Sequence, residues 1–397
     1  MQFRSFAGRA ALALLLLLAA CVPKYAGLAE RPPAEPPSVP VVFVPGVTGV
    51  VLRDSGTGEV VWGEGRNLLG PHDDGARLAL RPGDAIEPAG PIDEIHLFGI
   101  HKPIYGPLRM LLTRAGYVPA ETLFFFGYDW RRDLTESAGR LGEWLEELRQ
   151  KQGRESLEVD LVCQSSGAHL CRYLAKYGLP PTLAVRRMVL VGASNGGSLR
   201  ILRELDRGRR YVPLVGRFMS PEVLFTFPSL FQDLPIYRRD LFLDAKGRPL
   251  DVDLWDPESW RRYGWSVAGK DAELRRTLSE ARHFQELLHA DSPNFGKTRV
   301  YVVGSTDQPT PDRAVLVQAG KEWKTFFTGD PWLRRRPALE ALATAEGDEH
   351  ATVASQDWLS PQEKAALALP PRRVKGGHFE ALLTVEAGRF LLEALSP

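Results

Sequence analysis

Beyond residue 40, apolar positions fall into two kinds of run. Val41-Val42-Phe43-Val44, Leu123 to Phe126, Val159 to Val162, Met188 to Val191 and Val300 to Val303 are short, continuous and rich in β-branched or aromatic side chains. That pattern predicts strands buried on both faces of a parallel sheet. Between them, Ile104 to Ala115, Leu134 to Gln150 and Ala168 to Tyr177 carry apolar residues at helical spacing. Strands alternating with helices predict an α/β fold with a mainly parallel sheet. In such sheets the sites form at the carboxyl ends of the strands.

Residues from about 200 to 292 break this rhythm. They hold Phe218-Met219, Leu224-Phe225, Phe227, Phe231, Trp255, Trp260, Tyr263 and Trp265 in segments too irregular for sheet strands. We read them as a helical cap, with Phe225, Phe227 and Phe231 as apolar wall for an acyl chain. The same aromatics also suit an insertion that packs its own core.

The first residues set the expected compartment. Arg4 and Arg9 precede the apolar run Ala10 to Ala20, the pattern of an export signal. Leu18-Ala19-Ala20-Cys21 resembles the lipobox of bacterial lipoproteins, in which the signal (residues 1–20) is removed and the cysteine is lipidated. Val22 rather than an aspartate implies the outer membrane, facing the periplasm or the cell surface. A plain cleaved signal or a short anchor is the alternative. Residues 21–40 are proline-rich and predict a semi-extended tether of about 3 Å per residue, which would hold the body (41–397) tens of ångströms from the bilayer.

Composition excludes more than it assigns. Lys+Arg of 50 against Asp+Glu of 49 provides no basic field for nucleic acid. Only Cys163 and Cys171 follow Cys21, so a disulfide scaffold is not expected. His72-Asp73-Asp74 and the pair His96 and His101 match no recognised metal cage, and neither metal nor other cofactor is expected. Oligomeric state is open.

Candidate chemistry centres on Cys163-Gln164-Ser165-Ser166-Gly167, between a predicted strand and a predicted helix. Strand, sharp turn and helix with serine at the apex is the geometry of a nucleophile elbow, although Cys163 stands where the GxSxG pattern has glycine. An ordinary serine-rich turn would read the same way locally. In an α/β-hydrolase fold the acid and then the histidine follow the serine in the chain. Asp348, in Gly347-Asp348-Glu349-His350, is the candidate acid, and His378, in Gly376-Gly377-His378-Phe379, the candidate base. His350 reads as a bystander because it adjoins Asp348. For the oxyanion hole the expected donors are the N–H groups of Ser166 and of Val47, in the loop after the first strand.

These residues also carry a family resemblance. Val42-Phe43-Val44-Pro45-Gly46-Val47-Thr48-Gly49, Phe126-Gly127-Tyr128-Asp129-Trp130-Arg131, Gly192 to Ser198, Phe227-Pro228-Ser229-Leu230 and Gly347-Asp348 with Thr352-Val353 together resemble the lecithin:cholesterol acyltransferase family, which includes lysosomal phospholipase A2. The resemblance runs from about Val41 to the last helix. It implies an acyl-enzyme on Ser165 and a lipid or membrane ester as substrate. Trp130 joins the candidate substrate wall, though Asp129 and Trp130 also suit a supporting role. Gln164 replaces the histidine common before the nucleophile, Ser194 stands where proline is usual, and two extra residues separate Asp348 from Thr352-Val353. The cysteines of the animal members' membrane-binding region are lacking.

Three functions compete. The first is a lipid acyl hydrolase or O-acyltransferase of the bacterial envelope. The second is a carboxylesterase for soluble esters with the same triad. The third is a catalytically silent lipid-binding lipoprotein.

Overall fold

The computed structural model describes residues 36–65, 75–97, 100–210, 218–265 and 270–396, together with Tyr25 and Leu28. The leader 1–20, Cys21, most of the tether and His72-Asp73-Asp74 lie outside these residues.

Six strands form the central sheet: β1 (Val41–Val44), β2 (Leu123–Phe125), β3 (Leu157–Gln164), β4 (Leu183–Val191), β5 (Arg299–Ser305) and β6 (Arg372–Val374). Their order is β6-β5-β4-β3-β1-β2, and every pairing is parallel. Both faces are covered, which is why the strands read as continuous apolar runs. In β1, Val42 and Val44 face one core and Val41 and Phe43 the other. The first core is shared with α2 (Leu134–Lys151), α3 (Gly167–Tyr173) and α5 (Asp271–His289), and the second with α1 (Gly106–Arg114) and α6 (Val385–Leu395). Helix α4 (Leu199–Arg207) follows β4.

Local chemistry explains the helices. Asp133 caps α2 by accepting Thr135 N–H, and Leu134, Ala138, Leu141, Leu145 and Leu148 form its buried stripe. Such a cap contributes about 1 kcal/mol.

Because β1 is followed by β2 on one side and β3 lies on the other, the chain reverses direction across the sheet between β1 and β3. The carboxyl ends of these two strands therefore flank a crevice at a topological switch point. Val47 and Ser165 sit at its two sides.

Three expectations need correction. The region after residue 200 is not a self-contained helical insertion ending at 292. Phe242–Leu243 and Pro249–Leu250 join Ala314–Ala319 and Glu322–Phe326 in one four-stranded sheet, so its framework is completed by residues beyond β5. Residues 50–103, for which no strands were expected, form the antiparallel strands Val50–Asp54, Val60–Trp62 and Ile86–Pro91 and the hairpin Glu94–Leu97/Ile100–Pro103. Proline and glycine in stretches such as Ile86–Pro91 hide the period-2 signal. Finally, the tether is not free along its length. Tyr25 and Leu28 are buried against Leu111, with Leu383, Val385 and Leu392 around them, and the Tyr25 hydroxyl donates to Leu382 O.

Candidate active site

Ser165 occupies the turn between β3 and α3 with φ 55°, a left-handed conformation rare for residues bearing a Cβ. Its N–H is held by Val191 O at 3.0 Å. The turn is tight enough to demand small neighbours. A Cβ on Gly167 would stand 2.4 Å from Pro45 O, and one on Gly46 would stand 2.5 Å from Ser165 Cβ.

Cys163 is tolerated at the expected glycine position because its side chain points into the core shared with α3, where it is bonded to Cys171. No disulfide scaffold is expected from the sequence, and this one bond was not foreseen. Eight residues of separation across a strand–turn–helix place the two on facing sides, a proximity that the count of cysteines alone did not reveal.

The three residues ordered Ser, Asp, His in the chain come together in space. Ser165 Oγ lies 2.8 Å from His378 Nε2, and His378 Nδ1 lies 2.8 Å from Asp348 Oδ2. Asp348 is fully buried, and its other oxygen accepts the N–H groups of His350 at 2.9 Å and Ala351 at 2.7 Å. Those bonds fix the carboxylate in place, which orients His378 with Nδ1 as donor and Nε2 free to accept the serine proton.

Val47 and Ser166 also meet, in a manner not expected. The Val47 N–H donates to the Ser166 hydroxyl at 3.0 Å, so a substrate oxygen must displace or share that hydroxyl. The loop bearing Val47 is held from beneath. Gln164 Oε1 accepts Gly46 N–H at 3.1 Å and the Tyr105 hydroxyl at 3.0 Å, and the Tyr128 hydroxyl donates to Pro45 O at 3.0 Å. Burial pushes both tyrosines far above their ordinary range, so they stay protonated donors. Sequence reasoning noticed Gln164 only as an oddity.

The four aromatic residues expected as substrate wall are elsewhere. The cavity beside Ser165 is lined by Val47, Gln164, Ser166, Ile201, Arg209, Asp233, His350, His378 and Phe379. Trp130, Phe225, Phe227 and Phe231 are core residues. Trp130 stands edge-on to Phe227 and to Trp62, while Phe225 and Phe231 pack on one another and on Trp260. The Trp130 indole N–H donates to Val50 O at 3.2 Å, a supporting role. Next to it, Arg131 is fully buried between Asp129 and Asp84.

Two further residues line the cavity: Asp233, which the sequence reading did not single out, and His350, which it read as a bystander. Asp233 accepts the Ser194 hydroxyl at 2.6 Å, and burial is the main force that pushes its carboxyl up to about 8. His350 stacks on His378. The open volume at Ser165 is about 20 Å³, room for about one water molecule. Wider clefts exist, such as that lined by Ser38, Arg154, Glu158 and Ala184, but they bring no nucleophile and base together.

Away from this cavity, the hairpin carrying His96 and His101 adds Glu94 to them, with ligand atoms of all three within 4.8 Å of one another and all three exposed. Pairing His96 opposite His101 brings these residues together, which linear spacing did not suggest.

Fold and site thus define an α/β-hydrolase fold that carries a Ser–His–Asp constellation at the switch point of its sheet. One solved structure shares the fold. A chain of the Tle4-Tli4 complex superposes with a TM-score of 0.60 at 14% identity, covering 91% of this chain and 98% of that one. Bacillus licheniformis lipase BlEst2 in its mature form gives 0.36 at 13% identity over 93% and 94% of the two chains. Legionella pneumophila phospholipase PlaB gives 0.35 at 11% identity over 91% and 60%. In sequence, the uncharacterized protein YJR098C of Saccharomyces cerevisiae is 28% identical over 235 residues, 57% of this chain and about a third of that protein's length. No protein-family model matches the chain. Among the described residues, no helix is long and apolar enough to cross a membrane.

Proposed function

We propose that this protein is a serine-dependent lipid acyl hydrolase or O-acyltransferase that works through an acyl-enzyme on Ser165. The observation that carries the reading is the continuous chain Ser165 Oγ, His378 Nε2, His378 Nδ1, Asp348 Oδ2, with both contacts at 2.8 Å. Ser165 Oγ attacks the ester carbonyl while its proton passes to His378 Nε2, and Asp348 steadies the imidazolium. The carbonyl oxygen becomes an oxyanion, received by the N–H groups of Val47 and Ser166. His378 then returns the proton to the leaving alcohol. Water or an acceptor alcohol releases the acyl group by the same steps in reverse order.

The lipid class rests on the stretches that resemble the lecithin:cholesterol acyltransferase family, Val42 to Gly49 and Phe126 to Arg131. BlEst2 and PlaB are described as a lipase and a phospholipase, in keeping with this class without adding weight to it. The envelope setting rests on the lipobox-like Leu18 to Cys21. If Cys21 is lipidated, the docking of Tyr25 leaves four residues of reach, about 14 Å, so the body would ride close to the bilayer.

Labelling with a fluorophosphonate probe tests the nucleophile. Ser165→Ala is expected to abolish it, and persistent labelling would remove Ser165 from the role. Among the described residues Phe379 lines the Ser165 cavity while Trp130, Phe225, Phe227 and Phe231 do not, which favours, as a second reading, hydrolysis of small soluble esters. Rates on one ester below and above its micelle threshold separate the two, since only a lipid-interface enzyme gains rate above it.

A further inference from the structure

His350 belongs to the Asp348–Thr352 stretch that is two residues longer than in the resembled family, and this stretch is folded with care. Glu349 adopts φ 76°, a conformation costly for a residue with a Cβ, and its N–H is held by Thr310 Oγ1 at 2.9 Å. The next N–H, that of His350, is taken by Asp348 Oδ1, and the His350 carbonyl accepts the Ser198 hydroxyl. A left-handed step and three hydrogen bonds from side chains to this backbone thus fix where the His350 ring goes. It lies on the face of the His378 ring, with centroids 4.4 Å apart and planes 25° from parallel, and it lines the Ser165 cavity.

Asp348 controls His378 through Nδ1 and Ser165 meets it at Nε2. Neither contact stops the ring from tilting about the line that joins those two atoms. A flat group against one face does. We propose that His350 is a positioning residue for the His378 base, its ring setting the plane of the imidazole and facing it through the proton transfer. This inference rests on the assignment of Ser165, His378 and Asp348 above.

Charge considerations agree with the geometry. The groups acting on His350 are Arg200 of α4, Arg209 just after that helix, and His378 itself, and Asp233 lines the same cavity. Beside it in the chain stand Asp348 and Glu349. Burial, then Arg200, His378 and Arg209, hold His350 well below the ordinary imidazole range. The ring therefore remains uncharged while the Ser165 proton moves to His378 Nε2 and on to the leaving oxygen. No charge or proton comes to rest on His350, so the stacked ring itself places no cation against the imidazolium.

The test compares His350→Ala, His350→Phe and His350→Arg in the full chain, using ester hydrolysis across pH and fluorophosphonate labelling. A misoriented base costs rate rather than binding, so His350→Ala is expected to lower kcat by about tenfold or more with KM within about twofold. His350→Phe, which keeps a flat ring and cannot titrate, is expected to restore kcat to within about threefold of the parent. His350→Arg places a cation against His378 and is expected to shift the acid limb of kcat/KM to lower pH while reducing kcat. Parent kcat and pH profile in folded His350→Ala would overturn the proposal, as would a failure of folded His350→Phe to exceed His350→Ala. If His350→Ala does not fold, the comparison of His350→Phe with the parent decides: equal kcat and profile support the stack, and a tenfold loss sinks it. Slow but complete labelling of Ser165 in these variants separates this outcome from failure of the triad itself, in which Ser165 would not be the labelled residue.

Discussion

Gln164 holds Gly46: its carboxamide oxygen accepts the Gly46 N–H at 3.1 Å, so the residue before the nucleophile grips the loop that carries the Val47 donor. Replacing Gln164 by leucine leaves the Gly46 N–H and the Tyr105 hydroxyl without their acceptor. Each buried group so abandoned costs about 1–3 kcal/mol. Gln164→Leu is expected to lower Tm by several degrees, read by calorimetry. It should also slow ester hydrolysis more than a distant core change of equal Tm loss, because the oxyanion loop is displaced.

Gly46 itself tolerates nothing larger. In Gly46→Ala the new methyl would meet Ser165 Cβ at 2.5 Å, so either the loop or the elbow must shift. The expected result is a loss of labelling rate of about a hundredfold, the scale of a 1 Å misplacement at a reacting centre, while circular dichroism stays that of the parent.

The bond between Cys163 and Cys171 closes a loop of eight residues around the nucleophile. By loop-closure entropy it contributes on the order of 2 kcal/mol. Cys163→Ala with Cys171→Ala, or the reduced parent, is expected to melt several degrees lower. Alkylation followed by intact mass should find both thiols blocked from modification until reduction. Free thiols in the untreated protein would contradict the bond.

Asp233 makes stability depend on pH in an unusual direction. Its folded value of about 8 lies above the ordinary 3.8, so the folded state holds a proton that the unfolded state has released. The unfolded state binds fewer protons between about pH 4 and pH 8, and stability therefore falls as pH rises through that window and levels off above it. Asp233→Asn, which mimics the protonated form, is expected to flatten this slope in a series of Tm measurements from pH 5 to pH 9. An unchanged slope would show that Asp233 does not titrate there.

The central sheet was legible because its strands are buried on both faces. Val41 to Val44 could hardly be anything else, and the observed β3, β4 and β5 only extend the expected runs. Chain order placed Ser165, Asp348 and His378, since the sheet brings those three loops to one edge. What failed were inferences about which face a side chain takes. Phe225, Phe227 and Phe231 looked like an acyl wall because aromatics in an irregular segment read alike whether they face a cavity or one another. Gln164, Tyr105 and Tyr128 were missed for the opposite reason: Gln164 and Tyr128 bond backbone atoms of a loop up to 118 residues away, Tyr105 bonds Gln164, and no local pattern announces such bonds. His350 was dismissed by its adjacency to Asp348, yet the left-handed turn at Glu349 sends its ring back over His378.

The near absence of free space at Ser165 has a consequence for the fate of the acyl group. With about 20 Å³ open among the described residues, the site as it stands does not hold an acyl chain and an acceptor together, so on the proposed acyl-enzyme route a wall would retreat before either enters. Water and a competing alcohol must then pass the same entrance, and the partition between free acid and new ester becomes a contest of residence time behind it. A long-chain alcohol delivered with the lipid would arrive as the wall opens, whereas water would have to arrive afterwards.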